Sequence, residues 1–124
     1  MNDWIVLAAG IHSLAFALFH LAFWRLFRWR DTLQRATPVD RAVIQILNLR
    51  LTYVFAMVAA LCFAFPIELH STPLGRAVLA GMALFWVGRT VEQFIFLRIN
   101  RASVHVLTAA FVLGALLFAW PLFG

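Results

Sequence analysis

Lysine is absent from this chain, acidic residues number five, and all ten basic residues are arginine. Charged residues make up 12% of the 124 positions, about half the share that a water-soluble domain carries, while 65% are apolar. That shortage speaks against a soluble domain. Cys62 is the lone cysteine, so no internal disulfide forms and the redox compartment is not readable. The four prolines stand at the edges of apolar runs and leave their interiors uninterrupted. His-x-x-x-His, Glu-x-x-His and Cys-x-x-Cys-His spacings are all missing, so no metal or covalent-haem motif is present. No nucleic-acid motif accompanies the net charge of +5. Attraction to anionic lipid heads accounts for that charge instead, at about 1 kcal/mol per basic residue.

What is present is four long apolar runs, roughly Trp4–Trp24, Val43–Phe65, Ala77–Leu97 and Val104–Trp120. Each is near the ~20 residues that cross a hydrocarbon core about 30 Å thick. With short connections they predict an all-α polytopic membrane protein, an antiparallel four-transmembrane-helix bundle. It is expected to be one domain over residues 1–124, with spans near 4–25, 38–65, 73–98 and 102–120. The first run reads as a retained anchor rather than a signal peptide: no basic residue precedes it and Arg25, Arg28 and Arg30 follow it.

Arg25, Arg28, Arg30, Arg35, Arg41, Arg98 and Arg101 lie in or beside the first and third connections, and only Arg76 in the second. The positive-inside rule places those two connections in the cytoplasm and both termini outside a bacterial-type inner membrane. Trp4 and Trp120 would mark the outer interface, Trp24 and Trp29 the inner one.

Helix punctuation is clear at several points. Thr37-Pro38-Val39-Asp40 combines a capping threonine, a first-turn proline and a capping-box acid. Thr72-Pro73 repeats the logic. Pro66 and Pro121 are expected to end the second and fourth spans, and Asn100 to break the chain between the third and fourth. Leu26–Arg35 is expected to prolong the first helix or to lie along the interface. His70 falls in a predicted loop. No internal repeat is visible, so an inverted-repeat transporter is not supported.

Polar residues inside a bilayer face protein or a wet cavity. At 100° per residue, Ser13 and His20 share a face of the first span, with His12 about 80° from His20. Gln45, Asn48 and Thr52 share one of the second. Gly81, Phe85, Gly88 and Glu92 form a seam on the third, flanked by Arg89 and Gln93, where the glycines permit close helix contact. His105 and Thr108 align on the fourth. Counted at 1.5 Å per residue from the inner ends, His20, Asn48, Gln93 and Thr108 sit roughly 7–8 Å deep. Glu92 lies near 9 Å and Arg89 near 13 Å on the same estimate, with Arg50 at about 10 Å and within snorkelling reach of the interface.

This coincidence of depth predicts a polar pocket in the cytoplasmic-side leaflet, formed by Arg89, Glu92, His20, Asn48, Arg50, Gln93, Gln45, Thr108 and His105. Its content favours an amphipathic anion or a lipid head group. Arg89 and Arg50 would hold charge, Glu92 would orient Arg89, and His20 and Asn48 would donate or accept hydrogen bonds. Arg89 and Glu92, three apart on one helix, are alternatively a self-neutralising pair. A small membrane enzyme using the same pocket is a variant, with His20 or Glu92 as general acid–base. The competing class is a non-enzymatic partner or assembly subunit, in a homo-oligomer or larger complex, whose polar stripes only hold helices together. A b-type haem between His20 and His105 is a third reading.

In length and number of spans the chain resembles the membrane-associated eicosanoid and glutathione metabolism enzymes. Phe85-Trp86-Val87-Gly88-Arg89 is similar to their third span. Their second-span Arg/Asn/Glu motif is not reproduced by Gln45, Asn48 and Arg50.

Overall fold

The four apolar runs become helices, and the second, third and fourth begin or end where the punctuation directs, whereas the first stops at Leu21, short of the expected residue 25. The computed structural model describes residues 2–123. Among the described residues the chain is all-helical, with no strand. Helix α1 covers Asn2–Leu21, α2 Phe23–Leu26, α3 Trp29–Thr32, α4 Pro38–Ala64, α5 Pro66–Ser71, α6 Pro73–Phe96 and α7 Ala102–Ala119. Single 3-10 turns follow α3 (Leu33–Arg35) and α7 (Trp120–Leu122). Four of these helices are long and apolar enough to cross a membrane: Asp3–Leu21, Pro38–Ala64, Pro73–Phe96 and, with its 3-10 extension, Ala102–Leu122.

Two caps form as their residue types demand. The Asp40 amide donates to Thr37 Oγ1 at 3.2 Å, with Pro38 in the first turn of α4. The Gly75 amide donates to Thr72 Oγ1 at 3.0 Å, while the same hydroxyl donates to the Glu68 carbonyl at 2.7 Å and ties α5 to α6. Asn100 lies in the non-helical stretch between Phe96 and Ala102.

Two expectations need correction. The Arg-rich segment does not prolong α1. The Ala22 amide is shared between the Leu18 and Phe19 carbonyls, which tightens and closes the helix, and Arg28 then takes a left-handed conformation (φ 49°). Two short turns replace the expected extension, because a left-handed residue reverses the path of a right-handed helix. Pro66, expected only as a stop, also starts α5, since proline suits a first helical turn. His70, expected in a loop, therefore lies on a helix.

The chain divides into two compact units. One comprises residues 1–9 and 61–124. Within it α6 and α7 form an antiparallel hairpin: contacts advance along α6 as they step back along α7. Arg76 Nη2 donates to the Leu122 carbonyl at 2.5 Å, Trp86 stacks on Phe111 at 5.5 Å, and Gln93 reaches the Val104 carbonyl. Leu79, Trp86 and Phe118 are its most buried large side chains. Gly75 sits where α5 and α6 almost touch: a Cβ there would run into the Glu68 carbonyl and the Leu69 backbone. His70 Nε2 lies 2.6 Å from Asp3 Oδ1, and Arg76 Nη1 donates to the His70 carbonyl at 3.1 Å.

The second unit, residues 10–60, holds most of α1, the Arg-rich turns and most of α4. Here too the pairing is antiparallel, through Phe16–Phe55, His20–Asn48 and Trp24–Gln45. In both units large apolar side chains point outward: Leu84 is 71% exposed, Val106 67%, Leu47 59% and Leu18 59%.

Candidate functional site

The second unit carries an aromatic and basic groove where α1 gives way to the Arg-rich turns. Its volume is about 640 Å³. Trp24, Trp29 and Leu33 form the apolar walls, and Arg25, Arg30, Arg41, Gln34 and Gln45 supply polar groups. The walls are held by a chain of hydrogen bonds. Trp24 Nε1 donates to Gln45 Oε1 at 2.8 Å, and Gln45 Nε2 donates to the Arg41 carbonyl at 3.1 Å. Arg41 in turn spans the connection, donating from Nε to the Leu33 carbonyl at 2.9 Å and from Nη2 to the Ala36 carbonyl at 3.4 Å. Trp24 and Trp29 meet edge to face at 5.1 Å, and Phe23 backs Trp29 at 5.6 Å. Arg25 and Arg30 are exposed and make no ion pair among the described residues. Three guanidinium groups therefore line one cleft with no carboxylate in its lining.

One turn deeper along α1, His20 and Asn48 grip each other twice. Asn48 Nδ2 donates to the His20 carbonyl at 2.8 Å, which orients the amide. Its Oδ1 then accepts, so His20 carries its proton on Nδ1, 2.8 Å away. Phe23 and Phe55 flank the imidazole at 4.3 and 5.2 Å. Asn48 is buried, and Thr52 Oγ1 donates to its carbonyl at 2.9 Å. Arg50 is not part of this group: it is exposed and lies 5.8 Å from the Tyr53 ring centre.

In the first unit, Gln93, His105 and Thr108 line one groove of about 380 Å³ at the α6–α7 turn. Thr108 donates to the Val104 carbonyl at 3.0 Å, and the His105 ring pairs with Asn100 Oδ1 at 2.8 Å. Gln93 is 1% exposed, and its Oε1 accepts from no described residue. Such an orphan acceptor costs about 1–3 kcal/mol. Arg89 and Glu92 do not line this groove. Arg89 and Glu92 make no ion pair within 4 Å among the described residues, although the Glu92 charge still acts on Arg89; Arg89 lies over the Phe111 ring, 4.6 Å from its centre, and Glu92 is exposed.

The nine expected site residues are thus distributed. His20, Asn48 and Gln45 belong to one unit's polar group and groove wall; Gln93, Thr108 and His105 share a groove in the other; Arg50, Arg89 and Glu92 lie outside both grooves. Trp24, Arg25, Trp29, Arg30 and Arg41, which the sequence alone presents as an interfacial belt, line one groove in the structure. The signal was the alternation of Trp and Arg over residues 24–30. Among the described residues no three His, Cys, Asp or Glu side chains gather as a metal site. Comparison of the chain with protein-family models, curated proteins and solved structures finds no match.

Proposed function

We propose that this chain is a small polytopic inner-membrane protein that binds an amphipathic anion, foremost the head group of an anionic lipid. Its four spans would alternate in direction, with both termini outside and the Arg-rich connections in the cytoplasm. The outward-facing apolar side chains support the membrane reading, because lipid rather than water would then meet them. The single observation that carries the ligand reading is the cleft of Trp24, Arg25, Trp29, Arg30 and Arg41, which follows an apolar helix directly. At that level a phosphate meets guanidinium donors while tryptophan lies beside the glycerol and upper acyl chain.

The test is lipid retention by native mass spectrometry of detergent-purified protein, comparing dioleoyl phosphatidylglycerol with dioleoyl phosphatidylcholine. The anionic lipid should be preferred, and Arg25→Gln with Arg30→Gln should weaken its binding by about thirtyfold, taking about 1 kcal/mol for each charge. Equal retention of both lipids, or an unaffected double variant, would overturn the reading.

A second reading, an assembly subunit, is favoured by the third long helix. Gly81 and Gly88 are exposed, and a Cβ at either would meet nothing within 4 Å. Within its own unit the expected close helix contact is not made there, and a helix of a partner or a second copy would fit that seam. Leucine at both glycines should then dissociate the assembly in cross-linking, while leaving lipid retention intact.

A further inference from the structure

The groove at the α6–α7 turn combines an apolar wall with an unused, buried acceptor. Gln93 Nε2 faces the Val104 carbonyl at 3.4 Å, so exchanging the amide's nitrogen and oxygen would set two oxygens against each other. The carbonyl end is thereby the one left over, and it accepts from no described residue. The neighbouring acceptors and donors are largely spent. The Thr108 hydroxyl donates to the Val104 carbonyl, and Asn100 Oδ1 accepts from His105. Arg98 uses only Nε, on the Phe94 carbonyl at 3.1 Å, and its two terminal nitrogens have no partner among the described residues. Phe94, Leu97, Ile99 and Val104 supply the apolar surface.

We infer that this groove binds a phosphodiester amphiphile whose head group bears a hydroxyl. The hydroxyl donates to Gln93 Oε1, a phosphate oxygen accepts from Arg98, and the apolar part follows Phe94, Leu97, Ile99 and Val104. A single hydrogen bond of 3.4 Å holds the Gln93 amide, so a partial tilt, short of the reversal that would oppose two oxygens, brings Oε1 to the groove. A donor is demanded here because the leftover atom is an acceptor, and an unhydroxylated phosphate offers none. The inference rests on the membrane reading above and not on the Trp24–Gln45 groove.

The test compares dioleoyl phosphatidylglycerol with dioleoyl phosphatidylmethanol, which has the same charge and chains but no head-group hydroxyl. Water-soluble glycerophosphoglycerol serves as the free head group. Titrated into detergent-purified protein and read by native mass spectrometry, phosphatidylglycerol should bind about five- to tenfold more tightly than phosphatidylmethanol, the worth of one hydrogen bond. Gln93→Leu should abolish that ratio while leaving phosphatidylmethanol binding unchanged, and should raise the melting temperature, because an orphan acceptor is removed. Tight binding of the soluble head group would identify a free phosphodiester rather than a lipid as the ligand, with the same hydroxyl chemistry. Equal affinity for the two lipids, or a ratio that survives Gln93→Leu, would overturn the inference and leave the membrane reading standing. A protein that stays soluble and monodisperse without detergent would overturn both.

Discussion

His20 and Asn48, 28 residues apart, are joined by two hydrogen bonds of 2.8 Å, one from the imidazole Nδ1 and one to the His20 carbonyl. The pair couples the last turns of α1 to α4 at a point where Asn48 is shut away from solvent. A buried asparagine is tolerated because both ends of its amide are used. The arrangement also sets which nitrogen of the imidazole bears hydrogen.

Asn48→Leu should destabilise the protein by about 1–3 kcal/mol, since it removes both hydrogen bonds of the pair. Adding His20→Phe should cost less than the sum of the two single changes, because the pair is then lost only once. Cys62 is the lone cysteine and is buried, so thiol labelling on heating gives a direct unfolding signal. Additive losses in the double variant would argue against the mutual grip.

Gly75→Ala should be among the most damaging single-methyl changes in the chain. The added carbon meets the Glu68 carbonyl and the Leu69 backbone, which belong to a helix and cannot step aside as a flexible side chain would. A loss of at least about 2 kcal/mol is expected in the same labelling assay. By contrast, Gly81→Ala and Gly88→Ala add their methyl to open space inside a helix and should each stabilise the isolated chain by up to about 1 kcal/mol.

Arg28 holds a left-handed backbone conformation that costs a non-glycine residue about 1–2 kcal/mol. Arg28→Gly should therefore raise stability or leave it unchanged, despite removing a side chain. If the arginine is kept for its charge, the same variant should bind phosphatidylglycerol vesicles more weakly in a sedimentation assay. A less stable protein would show that the turn depends on the side chain instead.

The Asp3–His70 contact should matter less than its 2.6 Å length suggests. Asp3 is 46% exposed, so solvent screens the interaction, and Asp3→Leu should cost under about 1 kcal/mol. Arg76→Ala should have a more local effect. It releases both the His70 and Leu122 carbonyls, and limited proteolysis should then clip the C-terminal turn faster.

The helix boundaries at Thr37-Pro38 and Thr72-Pro73 were legible because capping is a local matter: hydroxyl, proline and amide lie within four residues of each other. The bond from the Thr52 hydroxyl to the Asn48 carbonyl is local in the same way, since helical spacing alone brings them together. Helical spacing also kept Glu92 close enough for its charge to act on Arg89, but only the packing of α7 set the Phe111 ring beneath that guanidinium.

Length, hydropathy and the absence of lysine were enough to define four helices long and apolar enough for a membrane, because those properties add up along the chain regardless of what packs beside it. The grouping of Trp24 with Gln45, the orphaned oxygen of Gln93 and the stacking of Arg89 on Phe111 were decided only in three dimensions. Each depends on which residue of one helix stands opposite which residue of another. That register emerges from side-chain packing across the hairpins, and no local pattern encodes it.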